Sequence, residues 1–125
     1  MTKPKVLVVE DDDALRTALV KAFDVDGFSV EAATDGRFGM AAAEKFRPEV
    51  IVMDLLMPNM DGYEMLKVLH TTTWGSKIPV VVASNLGSIE SINECLSSGV
   101  NDYIVKSDVS LKELVALTRN RLVAA

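Results

Sequence analysis

A single cysteine, Cys95, occurs among the 125 residues, so an internal disulfide framework is excluded and a reducing compartment fits. Lying in a helical pattern, it reads as a buried helix position. Basic runs are missing too: 18 acidic residues against 13 basic ones leave a net charge of −5. Without clustered lysine or arginine there is no broad surface to displace counterions from phosphates, so DNA is not expected as a direct partner. Apolar runs stop after a few residues, well short of the roughly 18 that cross a bilayer. The opening MTKPKVLVVEDDD has too short an apolar stretch for a secretory signal core. Repeats, linkers and low-complexity tracts are absent. The expectation is a cytoplasmic chain, with no membrane segment, folded as a single domain over 1–125, since its 49% apolar content suffices for one core.

What is present is a regular alternation of two periods. Short β-rich runs at Lys5–Glu10, Phe28–Ala32, Val50–Asp54, Val80–Ser84 and Asp102–Lys106 read as strands. Helical spacing follows each: Leu15, Leu19, Ala22 and Phe23; Phe38, Ala41, Ala42 and Phe46; Met65, Leu66 and Leu69; Ile89, Ile92 and Leu96; Leu111, Leu114, Val115, Thr118 and Leu122. Asp61 with Glu64 and Ser110 with Glu113 match the capping box, and Gly27 and Gly99 stand where helices should end. VLVV, VIVM and VVVA are continuously apolar, as central parallel strands covered on both faces are. These patterns predict an α/β fold: a doubly wound, five-stranded parallel sheet flanked by five helices.

Ligands of such sheets bind beyond the carboxyl ends of the strands. Those ends carry Glu10 and Asp11, then Asp54, Ser84 and Lys106. Taken alone, the run EDDD reads as a solvated helix start, with Asp12 and Asp13 favoured by the macrodipole. Convergence with Asp54 points elsewhere, because neighbouring carboxylates raise one another's pKa unless a cation lies among them. A hard divalent cation such as Mg²⁺, which takes one or two carboxylates, waters and a phosphate oxygen, meets that need.

The segments VLVVEDD, VIVMDLLMPNMDG, IPVVVAS and DYIVK occur in an order and spacing that together resemble a receiver domain of a two-component response regulator, over essentially the whole chain. The resemblance implies a flavodoxin-like strand order of 2-1-3-4-5 and a phosphoryl group accepted on Asp54 from a histidine kinase or phosphotransfer protein. It also implies Mg²⁺ held by Asp11, Asp54 and the Leu56 backbone carbonyl, with Glu10 acting through water. Ser84 and Lys106 would bind phosphoryl oxygens, Ser84 and Tyr103 would switch on activation, and the face of the fourth helix, fifth strand and fifth helix would meet a downstream protein or a fused effector. Such a chain is not a turnover enzyme, although it promotes its own phosphorylation and slow dephosphorylation.

Rival readings fit less well. A flavodoxin-type flavin binder wants a Ser/Thr/Gly-rich phosphate loop where EDDDALR stands, and an aspartyl phosphatase wants a second acid where Leu56 stands. A receiver-like interaction module that is not phosphorylated would have lost one of the acids or the lysine. His70 reads as a surface residue on the third helix, away from the acidic edge, and Trp74 as packing against that helix. Two residues depart from the receiver pattern: Ser107, where proline is usual, which predicts a trans Lys106–Ser107 bond, and Asn85, where a small residue is usual after Ser84.

The resemblance also bears on signal lifetime, because an attacking water would pass the side chains two positions beyond Asp54 and Ser84. These are Leu56 and Leu86, apolar residues that cannot orient a water and can crowd it from the line of approach. Slow loss of the phosphoryl group is expected, faster in Leu56→Asn, in Leu86→Glu and in the double variant when Mg²⁺ is saturating. Unchanged or slower loss in all three would show that these positions do not set the lifetime.

Overall fold

The structure, a computed structural model, describes residues 3–57, 59–85, 93, 97 and 99–122. Five strands, β1 (Lys5–Val9), β2 (Ser29–Ala33), β3 (Val50–Met53), β4 (Val80–Ser84) and β5 (Asp102–Val105), form one parallel sheet in the order β2-β1-β3-β4-β5. Helices α1 (Asp13–Val25), α2 (Gly36–Phe46), α3 (Gly62–Thr71) and α4 (Leu111–Asn120) flank it, with a 3₁₀ turn at Lys106–Asp108. Thus α4 is the fifth helix of the sequence pattern. The expected fourth helix, with Ile89, Ile92, Leu96 and Cys95, falls largely outside the described residues, as do Pro58 and Leu86.

Alternation along the strands sorts the core into two layers. Leu7, Val9, Ile51, Met53, Val80 and Val82 meet Met65, Leu66 and Leu69 of α3 and Ala43 of α2. Val6, Val8, Val50, Val52, Val81 and Ala83 meet Leu19 and Phe23 of α1 and Leu114 and Val115 of α4. Phe23 and Phe28 pack edge to face with centroids 5.1 Å apart, and removing such a ring costs about 3–5 kcal/mol. The sheet is edged by β2, where Glu31 is exposed, and by β5, where Asp102 pairs with Arg121.

Helix starts follow local chemistry. Asp12, Asp35, Asp61 and Ser110 each accept a hydrogen bond from a first-turn N–H, and at Ser110 the Glu113 side chain returns the bond. Asp61 caps α3 through Glu64 N–H at 3.0 Å. Gly27 and Gly99 take φ values of +94° and +90°, the left-handed conformation that only glycine adopts freely.

The inward face of α2 differs from the expected stripe of Phe38, Ala41, Ala42 and Phe46. Gly39 and Ala43 pack on the core and Gly36 on the Met60–Asp61 backbone, and Ala42 and Phe46 are partly buried, while Phe38 is 57% exposed and Ala41 is exposed. Large residues ordinarily mark the buried face, but here small ones let the helix backbone sit close. A Cβ on Gly39 would lie 2.9 Å from Met65 Sδ and 3.1 Å from Val9 Cγ2. Phe38 is thereby rotated outward.

At Gly62 the approach is tighter still: a Cβ there would stand 2.4 Å from the Asp54 carbonyl oxygen and 2.9 Å from Leu55 Cα. Both neighbours are backbone, so neither can rotate away. Gly62→Ala is expected to cost about 2 kcal/mol by forcing α3 off the end of β3, read as a lowered urea midpoint with an unchanged m-value. An unchanged midpoint would show that helix and strand end separate freely.

Candidate functional site

Strands β1, β3 and β5 stop one residue before Glu10, Asp54 and Lys106, and past β1 and β3 the backbone bonding carries on. Glu10 N–H donates to Ala33 O and Asp54 N–H to Val9 O, both at 3.0 Å. This places Glu10 and Asp54 side by side at the end of the sheet. Asp11 follows in the open turn before α1. That turn is held by Arg16, whose Nη1 donates to Glu10 O at 3.1 Å and whose Nη2 pairs with Asp13 at 2.5 Å. From across β4, Lys106 reaches back so that its Nζ lies 2.6 Å from Glu10 Oε1 and 3.0 Å from Asp54 Oδ2. The other Asp54 oxygen accepts from Leu55 N–H at 2.7 Å.

Glu10 and Asp54 are buried, whereas Asp11 is exposed. Burial raises the Glu10 carboxyl above its ordinary range, although Lys106 and the Asp12 N–H pull the other way. Burial alone would lower the Lys106 ammonium, but hydrogen bonds to Glu10 and Asp54 outweigh it and hold the lysine above its ordinary value. Glu10, Asp11 and Asp54 each offer one oxygen, all within 4.8 Å of one another. A Mg²⁺ about 2.1 Å from each direct ligand needs the Asp11 and Asp54 oxygens roughly 3 to 4.2 Å apart, which the cluster's spread admits, with Glu10 within reach of a bound water. Three carboxylates against the one ammonium of Lys106 leave two negative charges, which a dication matches.

Ser84 ends β4, buried, opposite Val105 and so beside the base of Lys106. Tyr103 lies half-buried in β5 against the first core layer. The Leu56 side chain is 58% exposed, directly after the buried Leu55. Asn85 is exposed, and the Lys106–Ser107 bond is trans, opening into the 3₁₀ turn. His70 closes α3 with its ring over Gly99, and Trp74 packs against the first core layer with the Arg47 guanidinium 4.3 Å from its ring. Neither belongs to the acidic cluster. A groove of about 680 Å³ between α1 and α4 also lies away from it.

Three residues near the site went unrecognised in the sequence. Arg16 braces the first turn, and Asp35, buried, accepts from Phe38 N–H at 3.0 Å and from Asn59 Nδ2 at 2.9 Å. These two donors, the backbone one first, hold the Asp35 carboxyl below its ordinary range. Asp35-Gly36 before a helical stretch is a readable cap signal. The bond to Asn59 spans 24 positions and has no local sign.

A parallel α/β sheet with acids at adjacent strand ends and a lysine reaching across to them defines a doubly wound protein with a charged, cation-compatible edge. The sequence model of the family described as the response regulator receiver domain matches residues 6–119, and the chain belongs to that family. It is a receiver domain of two-component signalling, a family in which aspartate phosphorylation and Mg²⁺ dependence are standard and which does not generally comprise turnover enzymes. Over 115 residues it is 36% identical to the response regulator MprA of Mycolicibacterium vanbaalenii, covering 92% of this chain and 48% of that protein. It is 34% identical to MprA of Mycobacterium leprae, with 92% and 49% covered. The chain thus spans about half the length of these curated relatives.

Among solved structures, the chemotaxis response regulator CheY4 of Vibrio cholerae superposes with a TM-score of 0.89 at 30% identity, covering 97% of this chain and 100% of that one. The receiver domain of the Francisella response regulator 1452 gives 0.87 at 33% identity, with 95% and 96% covered. No helix among the described residues is long and apolar enough to cross a membrane.

Of the three exposed acids at the start of α1, Asp11 and Asp13 should differ sharply. Asp11 belongs to the oxygen cluster, whereas Asp13 pairs with Arg16 on the helix. In a titration with a divalent cation, Asp11→Ala is expected to weaken binding at least about tenfold and Asp13→Ala hardly at all. Equal losses would place the cation elsewhere in the run.

Proposed function

We propose that Asp54 is the phosphoacceptor of this receiver and takes a phosphoryl group from the phosphohistidine of a sensor kinase or phosphotransfer protein. The observation that carries the reading is the reach of Lys106 to Asp54 and Glu10 together, across β4, at the end of the sheet. In the transfer, an Asp54 carboxylate oxygen forms a bond to phosphorus as the bond to the histidine nitrogen breaks, and the imidazole leaves with its electron pair. Asp54 follows directly on a buried strand and is held by the Leu55 N–H, so it is oriented in advance for in-line attack.

Mg²⁺, when bound by Asp11, Asp54, the Leu56 carbonyl and, through water, Glu10, supplies charge neutralisation for the phosphoryl oxygens. Lys106 is the resident cation. Its ammonium moves from the carboxylates onto a phosphoryl oxygen as charge develops there, and the Ser84 hydroxyl donates to another. Both then draw on the ends of β4 and β5, and Tyr103 follows by changing rotamer. That displacement switches a protein-binding face formed by the segment after β4, by β5 and by α4.

The partners are accordingly a histidine kinase or phosphotransfer protein upstream, and downstream a separate protein or an effector joined to this domain. The domain works stoichiometrically, in the cytoplasm, as one unit over 1–125, without itself touching DNA or membrane.

Incubation with Mg²⁺ and acetyl phosphate, followed by intact mass, tests the assignment. Wild type should gain one phosphoryl group, labile at alkaline pH, and Asp54→Asn should gain none. Equal gain in both, or in neither, would refute Asp54 as acceptor and favour an interaction module that is not phosphorylated.

A further inference from the structure

Asp35 is a carboxylate, only 2% exposed, that the transfer reaction does not use. Capping α2 occupies one of its oxygens, Oδ1, which accepts from Phe38 N–H. Oδ2 is spent instead on Asn59 Nδ2, at 2.9 Å, and Asn59 lies in the loop between Asp54 and α3. Asn59 has φ +65°, a left-handed backbone that asparagine tolerates better than most residues. A second bond runs parallel, from Gly36 N–H to Met60 O at 2.7 Å, where a Cβ on Gly36 would stand 2.6 Å from that oxygen. The far end of the loop is closed by Gly62 N–H donating to Leu55 O at 2.9 Å.

The start of α2 therefore grips the middle of the loop while α3 closes its end. Leu56 lies between these ties, and its side chain, being exposed, anchors nothing. Its carbonyl is thus fixed through its neighbours, as outer contacts fix the ligands of a metal.

We propose that Asp35 and Asn59 form a latch that positions the Leu56 carbonyl against Asp54 for cation binding and phosphoryl transfer. This rests on the reading of Asp54 as phosphoacceptor. Both are positioning residues, since neither touches the transferred group. The bond is reciprocal in kind: an asparagine at 35 can still cap α2 through its oxygen, and an aspartate at 59 can accept from its amide.

The test uses Asn59→Gly, Asn59→Asp, which sets a carboxylate against Asp35, and the exchanged pair Asp35→Asn with Asn59→Asp. Asp35→Asn alone could still donate to a flipped Asn59 amide. Glycine at 59 removes the donor while keeping the left-handed backbone free of strain, so a loss there belongs to the bond. Three readouts are taken: Mg²⁺ affinity by calorimetry, the initial rate with acetyl phosphate, and hydrogen exchange of the loop amides without Mg²⁺. Each single variant at 59 is expected to lose roughly tenfold in Mg²⁺ affinity and to exchange faster at Leu55, Leu56 and Met60, with α1 unchanged. The exchanged pair should recover most of both losses. Wild-type affinity and loop protection in Asn59→Gly, or an exchanged pair no better than Asn59→Asp, would overturn the latch. Wild type that neither binds Mg²⁺ nor is phosphorylated would instead overturn the phosphoacceptor reading and the latch's role with it, a result distinct from the other two.

Discussion

The ammonium of Lys106, held between Glu10 and Asp54, is the contact on which the acidic edge depends. Two carboxylates withdrawn from water at adjacent strand ends would otherwise repel one another, and burial raises the Glu10 carboxyl above its ordinary range. One ammonium relieves this but does not neutralise the cluster, so the edge stays poised to accept further positive charge. The arrangement requires β5 to lie on the far side of β4, from where a long side chain can span back to β3 and β1. Strand order and charge pattern are in this sense one requirement.

Close backbone contact is the second theme. Gly36, Gly39 and Gly62 lie where a Cβ would meet neighbouring atoms at under 3.0 Å, and two of them border the loop after Asp54. A reacting carboxylate gains from a surrounding that cannot drift, and backbone packed on backbone gives less than side chain on side chain. The helices serve the site by pressing on its loop, although among the described residues they contribute only Asp13 and Arg16 near the acids.

Most of the sheet was legible because buried parallel strands leave a continuous apolar signature, and the acids and lysine stand out by interrupting it. Strand limits came within a residue: Glu10 and Asp54 prolong the bonding pattern just past their strands, and Lys106 opens the 3₁₀ turn after β5. The face of α2 was misread because periodicity favours bulky residues, whereas that helix buries its smallest. Arg16 was passed over since its role is to hold backbone carbonyls, which no residue pattern displays. Asp35 with Asn59 was invisible for a different reason, being created only when α2 settles beside the loop. Local chemistry announces caps and strand ends; contacts between distant segments appear only with the fold.

The two borders of the sheet carry a last implication, for self-association. An open strand edge is a template on which another copy can add a strand, and charge at the edge is a common deterrent. Glu31 projects from the exposed middle of β2, and on β5 the Asp102–Arg121 pair stands at the first residue of the strand. A second chain pairing with β2 would set its own Glu31 close to this one in a symmetric approach, while at β5 it would have to break an ion pair. Stacking into extended sheets is therefore opposed at both ends.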